Sequence, residues 1–188
     1  MAIKIFIDQG HNPVDPDAGV EVNGVKEQDI NYEVGVRLAR LLNNNPDFEA
    51  RLSRNFPTTQ LGTSVVTSLQ ARVYAANTWS ADQFISLHCN FSDNTEISGS
   101  EAYVFDKNSA GYYMGVSILQ GLHYMTELPN RGVFVDKNIY QLYATTMPAV
   151  LLEMGYLSNP TDFELLTTQP YSFASGIYYG ILYYYGLI

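Results

Sequence analysis

The chain has 188 residues, 10 of them Lys or Arg and 19 Asp or Glu, giving a formal net charge of −9 and a pI near 4.6. Hydrophobic residues make up 46% and charged residues 15%, enough apolar matter for one buried core and too much for a disordered chain. The acidic balance, with no basic run to oppose it, excludes a nucleic-acid partner, and Cys89, the only cysteine, excludes an internal disulfide.

The first residues, Met-Ala-Ile-Lys-Ile-Phe-Ile-Asp, lack the basic start, apolar run and cleavage site of a signal peptide. Ile3 to Ile7 is β-branched and apolar and ends at Asp8-Gln9-Gly10, which predicts a strand running into a loop. From Gly10 to Val25 there is no periodicity, only turn residues and Pro13 and Pro16. A helix begins near Glu27, with Ile30, Val34, Leu38 and Leu41 at helical spacing, and Asn43-Asn44-Asn45-Pro46 ends it. Phe48 to Leu52 reads as a second strand. Ser68 to Asn77 reads as a helix with Leu69, Val73 and Ala76 on one face. Gln83 to Leu87 forms a third strand, with His88-Cys89-Asn90 at its end.

Gly99 to Phe105 is a fourth strand, followed by a helix from Tyr112 to Met125 carrying Met114, Ile118, Leu122 and Met125 on one stripe. A strand or turn surrounds Gly132 to Val135. Ala149 to Leu152 is an apolar strand running into Glu153-Met154-Gly155, with two helices after it. The uncharged stretch from Phe173 to Ile188 is 16 residues long and broken by glycines, shorter than the roughly 20 residues a membrane span needs. It reads as a buried terminal helix whose tyrosines are packing residues. Strands alternating with helices predict one α/β domain over residues 1–188 with a largely parallel sheet.

His11, His88 and Glu153 each follow a predicted strand, and Glu27 opens the helix after the first loop. Sites in open α/β sheets form beyond the carboxyl ends of the strands, so these four groups converge on one edge. Two imidazoles and a carboxylate make a catalytic zinc set, and a second carboxylate supplies the base that amide cleavage requires. Their spacing has none of the short fixed intervals of a zinc finger, so residues alone leave a metal site and four unconnected surface groups both open.

The sequence resembles the zinc-dependent N-acetylmuramoyl-L-alanine amidases of the type-3 family over nearly its whole length. The resemblance rests on Ile-Asp-Gln-Gly-His-Asn at 7–12, Gly24-Val25-Lys26-Glu27, Arg72 with Ala76-Asn77, the run from Ala81 to Asn90, Gly99-Ser100-Glu101, Asn130-Arg131-Gly132 and the run from Met147 to Asn159. It implies a twisted mixed sheet flanked by helices on both faces, one zinc on His11, Glu27 and His88, and Glu153 as the catalytic glutamate. The reaction it implies is hydrolysis of the amide between N-acetylmuramic acid and L-alanine in peptidoglycan, as in an autolysin or endolysin at the bacterial cell wall. An acidic domain has little attraction for an anionic wall, so a wall-binding module in a longer secreted parent, or release as a lysin, goes with this reading; no membrane partner does. A zinc carboxypeptidase acting on stem peptides and a wall-binding module without catalysis are the competing readings.

Two departures stand out: Asn12-Pro13 where glycines are common in the family, and Cys89 where a small apolar residue is usual. If the strand continues, the Cys89 side chain points away from that of His88. Asp8 or Asn90 would orient an imidazole or cap a loop. Asn90 and Arg131 are candidate substrate contacts, Arg131 for a stem-peptide carboxylate or as half of a structural salt bridge. His123 reads as a boundary histidine. Gly10, Gly19, Gly24 and Gly155 suit tight turns and do not form a phosphate loop.

Overall fold

A computed structural model describes residues 2–188. In chain order the elements are β1 (Ile3–Gln9), β2 (Glu21–Val22), β3 (Val25–Lys26), α1 (Glu27–Asn43), β4 (Phe48–Leu52), α2 (Val65–Trp79), β5 (Gln83–Asn90), β6 (Ser100–Val104), α3 (Ala110–Thr126), β7 (Asn130–Val135), α4 (Tyr140–Ala144), β8 (Ala149–Tyr156), α5 (Pro160–Thr168) and α6 (Pro170–Tyr184). Six strands form one sheet in the order β4-β1-β5-β8-β6-β7. The β4, β1, β5 and β8 pairings are parallel, β6 runs antiparallel to β8, and β7 runs parallel to β6. The sheet is therefore mixed and mostly parallel.

Successive strand residues face opposite sides. Ile5, Ile7, Ile85, Leu87, Val150 and Leu152 pack against Ile30, Val34 and Leu38 of α1, Met114, Ile118 and Leu122 of α3, and Phe173, Ile177 and Ile181 of α6. Phe6, Phe84 and Leu151 face the other way, onto Ala76 of α2 and Leu142 of α4. Helices thus cover both faces. The stripe on α1 closes with Leu42 buried, not Leu41, which lies at the edge of the core.

Helix starts follow their caps. Ser64 accepts a hydrogen bond from the Thr67 backbone at 3.2 Å, so α2 begins at Val65, ahead of the expected Ser68. Ser109 caps α3 through Tyr112 N at 3.1 Å, and Asn159 caps α5 through Thr161 N and Asp162 N, with Pro160 at the first helical position. In α6 and at its cap the tyrosines divide: Tyr171, Tyr179 and Tyr183 are exposed, while Tyr178, Tyr184 and Tyr185 pack against the core. Where α3 crosses α6, a Cβ on Gly180 would lie 2.4 Å from Ile118 Cα, and one on Gly121 would lie 2.2 Å from Gly176 O. Only glycines permit backbones this close.

Four strands are longer than expected: β1 runs on to Gln9, β7 starts at Asn130, and β5 and β8 extend past Leu87 and Leu152. β5 carries its pairing with β8 through His88, and β8 continues through Glu153 to Tyr156. His88 and Glu153 therefore sit within strands rather than after them, and only His11 follows its strand as expected. Among the described residues, no helix is long and apolar enough to cross a membrane.

Candidate active site and metal centre

His11 leaves β1 with a φ of 68°, a backbone state that few non-glycine residues adopt and that needs support from its surroundings. Arg72 supplies it from α2. Its guanidinium, 1% exposed, donates to Asp8 Oδ1, Gln9 O and His11 O, each at 2.7 Å. Asn12 holds the far side of the loop, its Nδ2 donating to Pro16 O at 2.8 Å and Leu61 O at 2.9 Å. Glu27 is the first residue of α1, 3% exposed, where the unpaired amides of a helix N-terminus favour a carboxylate. His88 and Glu153 are direct register partners in β5 and β8.

These placements bring His11, Glu27 and His88 together, with one ligand atom from each inside a 4.8 Å span. Glu27 Oε1 lies 3.2 Å from His11 Nε2 and 3.1 Å from His88 Nδ1, and it accepts from Cys89 N at 3.1 Å and Asn31 Nδ2 at 3.3 Å. Two ligand atoms bound tetrahedrally to one zinc at about 2.1 Å stand about 3.4 Å apart. The observed spacings match that, and the donor set of two imidazoles and one carboxylate is suited to zinc. The backbone also leaves room: a Cβ on Gly10 would strike His88 Nε2 at 2.5 Å, and one on Gly19 would strike Glu27 Oε2 at 2.7 Å.

The electrostatics are those of a cation site. Burial would lower the His11 pKa, but the Asp17 and Glu27 carboxylates outweigh it and raise it to about 10. For Glu27, burial acts upward, and hydrogen bonds from His11 and His88 overcome it to hold the carboxyl well below its usual range. Glu153 behaves oppositely. Burial, then repulsion from Glu27 and Glu101, pushes it up to about 8, and its Oε2 has no hydrogen-bond partner among the described residues. It lies one strand from His88, as its direct register partner.

On the far side of Glu153 lies its register partner in β6, Glu101, 4% exposed. Glu101 accepts from Arg131 Nε at 2.6 Å, Tyr156 OH at 2.7 Å, Tyr103 OH at 2.8 Å and Asn90 Nδ2 at 3.4 Å. Asn90 spends its oxygen on Phe91 N at 2.8 Å, so both ends of its amide are engaged within the chain. Asp8 is held by Arg72 and Ser86 and touches neither imidazole. The carboxylate facing His11 Nδ1 is instead Asp17, at 3.5 Å, itself fixed by Ser68 Oγ at 2.6 Å. Cys89 turns its thiol into the core among the α1 side chains, and burial pushes its pKa well up. His123 is exposed on α3 and lies 2.8 Å from Leu128 O through Nδ1.

Asp17, Glu101 and Asn31 make contacts around these groups that the sequence does not announce. Asn31, four residues after Glu27 on one helix face, had a readable signal; Asp17, inside a turn-rich loop, had none.

The chain matches the N-acetylmuramoyl-L-alanine amidase family over residues 5–183. It is 32% identical to N-acetylmuramoyl-L-alanine amidase CwlM of Bacillus licheniformis, over 90% of this chain and 62% of that protein. The catalytic domain of CwlV, an N-acetylmuramoyl-L-alanine amidase from Bacillus (Paenibacillus) polymyxa var. colistinus, superposes with a TM-score of 0.85 at 30% identity, covering 99% of both chains. The N-acetylmuramoyl-L-alanine amidase of Clostridium difficile 630 gives 0.85 at 29% identity, over 98% of this chain and 97% of that one. Against CwlM the chain spans less than two thirds of the relative's length.

Proposed function

The chain belongs to the N-acetylmuramoyl-L-alanine amidase family, and on that footing we propose that it hydrolyses the amide joining the lactyl group of N-acetylmuramic acid to L-alanine in peptidoglycan. The observation that carries this reading is the convergence of two imidazoles on one oxygen of Glu27, with a second buried carboxyl, Glu153, uncommitted in the adjoining strand. The site of action is then the bacterial cell wall.

In this reading His11, Glu27 and His88 hold one zinc per chain. Bound there, zinc supplies a Lewis acid that polarises the scissile carbonyl and makes water more acidic. The chain's own residues do the rest. Asp17 faces the second nitrogen of His11 at 3.5 Å and favours a proton there, and Asn31 and the Cys89 amide orient Glu27. Glu153 takes a proton from the attacking water as the carbon–oxygen bond forms. It then delivers that proton to the alanine nitrogen as the carbon–nitrogen bond breaks. Burial and repulsion from Glu27 and Glu101 raise this carboxyl in the metal-free site; a cation held by the three ligands would offset that repulsion and leave Glu153 ionised, ready to accept the proton.

Digestion of purified peptidoglycan, read by mass analysis, tests the bond. Stem peptides with a free N-terminal L-alanine and uncut glycan strands are expected. New reducing ends would make the protein a glycosidase, single C-terminal amino acids a carboxypeptidase, and no product a binding module. Elemental analysis tests the metal: about one zinc per chain is expected, with chelation abolishing activity and Glu27→Gln losing zinc and activity together, because a neutral amide is a poor ligand. A zinc-free sample with full activity would overturn the metal assignment.

A further inference from the structure

β6 and β7 are out of step at one point: Ser100 pairs with Asn130 and Glu101 with Gly132, leaving Arg131 as the extra residue of a β-bulge, with Gly132 at a φ of 100°. Bulges beside active sites re-aim side chains. Here the bulge lays Arg131 against Glu101, which takes its Nε at 2.6 Å, while the Tyr156 ring stacks 5.6 Å from the guanidinium carbon. Nε is therefore spoken for. Among the described residues the Nη end of the fork reaches only Ser98 O, at 3.5 Å, and the side chain is 37% exposed. Glu153, Glu101 and Arg131 thus stand in a row across three neighbouring strands, β8, β6 and β7.

We propose that Arg131, held by Glu101, is a specificity-determining residue that binds a free carboxylate on the second residue of the stem peptide. This rests on the amidase reading above. Two strand spacings separate Arg131 from the line of Glu153, about 9.5 Å. An extended peptide advances about 3.3 to 3.6 Å per residue, so a carboxylate two residues from the scissile amide reaches about 7 Å, and one charge-assisted hydrogen bond of about 2.8 Å closes the remainder. A guanidinium fork matches a carboxylate with two parallel N–H donors, and Nη1 and Nη2 offer that pair when Nε is taken. A carboxamide at the same place puts donors against donors. Glu101, buried and bonded by Tyr103, Tyr156 and Asn90 as well, is the positioning residue, and Asn90 acts through it rather than on substrate.

The test uses two soluble N-acetylmuramoyl tripeptides that differ only in whether the α-carboxylate of a glutamate at the second position is free or amidated. Wild-type enzyme is expected to show a KM about tenfold lower for the free acid, with kcat alike for the two, the size of one charged hydrogen-bond pair. Arg131→Gln should bring the ratio of the two KM values close to one, whatever it does to overall rate. Glu101→Gln, which keeps an oxygen opposite Nε, should retain the ratio. A purely structural salt bridge would shift both substrates equally and leave the ratio unmoved. Equal KM values in the wild type, or a ratio unchanged in Arg131→Gln, overturns the inference while leaving the amidase reading intact. Cleavage of neither substrate overturns both.

Discussion

Glu27 Oε1 meets four groups at once: two imidazoles, the Cys89 amide and the Asn31 carboxamide. Glu153, by contrast, has a free oxygen and a raised pKa. Two glutamates in one site are driven apart in character by their surroundings, the pattern that separates a ligand from an acid–base group. Glu153→Gln keeps the shape and removes proton transfer, so turnover should fall by roughly 10²- to 10⁴-fold with zinc content unchanged. Wild-type turnover in that variant would remove Glu153 from the mechanism. A second effect follows from linkage. The Glu153 carboxyl binds a proton in the folded chain up to about pH 8 but releases it near the ordinary glutamate value of 4.5 when unfolded. Its stabilising contribution is complete below the unfolded value and is lost as pH rises through the folded one. Metal-free wild type should therefore lose more stability between pH 5 and pH 9 than metal-free Glu153→Gln, as read by thermal melts. Equal losses would mean that the carboxyl is not raised in the fold. At this scale the four principal residues were legible because each closes an apolar run or opens a helix. Asp17 was not, since nothing in a turn-rich loop marks which acid will meet an imidazole. Nor was Glu101, whose role is set by side chains from three other strands.

Elements were legible in proportion to their length. The strands of five or more residues and the long helices show their periods in the sequence, whereas the β2–β3 hairpin and α4 do not, because two-residue strands and a five-residue helix are too short to display one. The ends of β5 and β8 were misjudged because Ser, His, Asn, Glu and Gly interrupt the apolar run there. Backbone hydrogen bonding does not follow hydrophobicity, and pairing continues with polar side chains turned into the site. The crossing of α3 and α6 was equally hidden, since Gly121, Gly176 and Gly180 read as breaks in apolar segments rather than as points of contact. Gly180→Ala would set a methyl group 2.4 Å from Ile118 Cα and 2.6 Å from Ser117 O, both backbone atoms that yield only if the helices separate. A loss of about 1 to 3 kcal/mol is expected in denaturant unfolding, the usual penalty for overpacking. Activity per folded molecule should hold, because this crossing covers the sheet face opposite the site. An unchanged midpoint would show that the helices have slack there.

For the molecule as a whole, a net charge of −9 would set how it meets the wall substrate proposed for it. Anionic wall polymers would repel it, and the repulsion would reach about 30 Å at 0.01 M salt but only about 8 Å at 0.15 M. The initial rate on intact walls should rise over that range, while the rate on a small soluble muramoyl peptide changes less. A rate on walls that falls with salt would point instead to attraction through a local basic patch. The α/β class and the mostly parallel sheet were readable from the alternation of elements, but the antiparallel turn at β6 was not, because strand direction depends on connections across the sheet that leave no local mark.

His11, Glu27 and His88 come from a loop after β1, the start of α1 and the interior of β5, places far apart along the chain. A chain with one cysteine has no disulfide to fasten such segments together. An ion held by all three would be its only cross-link, a rivet through loop, helix and strand at once. Capture of the ion and completion of the fold then become one equilibrium, so the concentration of free metal would govern how much folded protein there is, as well as how fast it works.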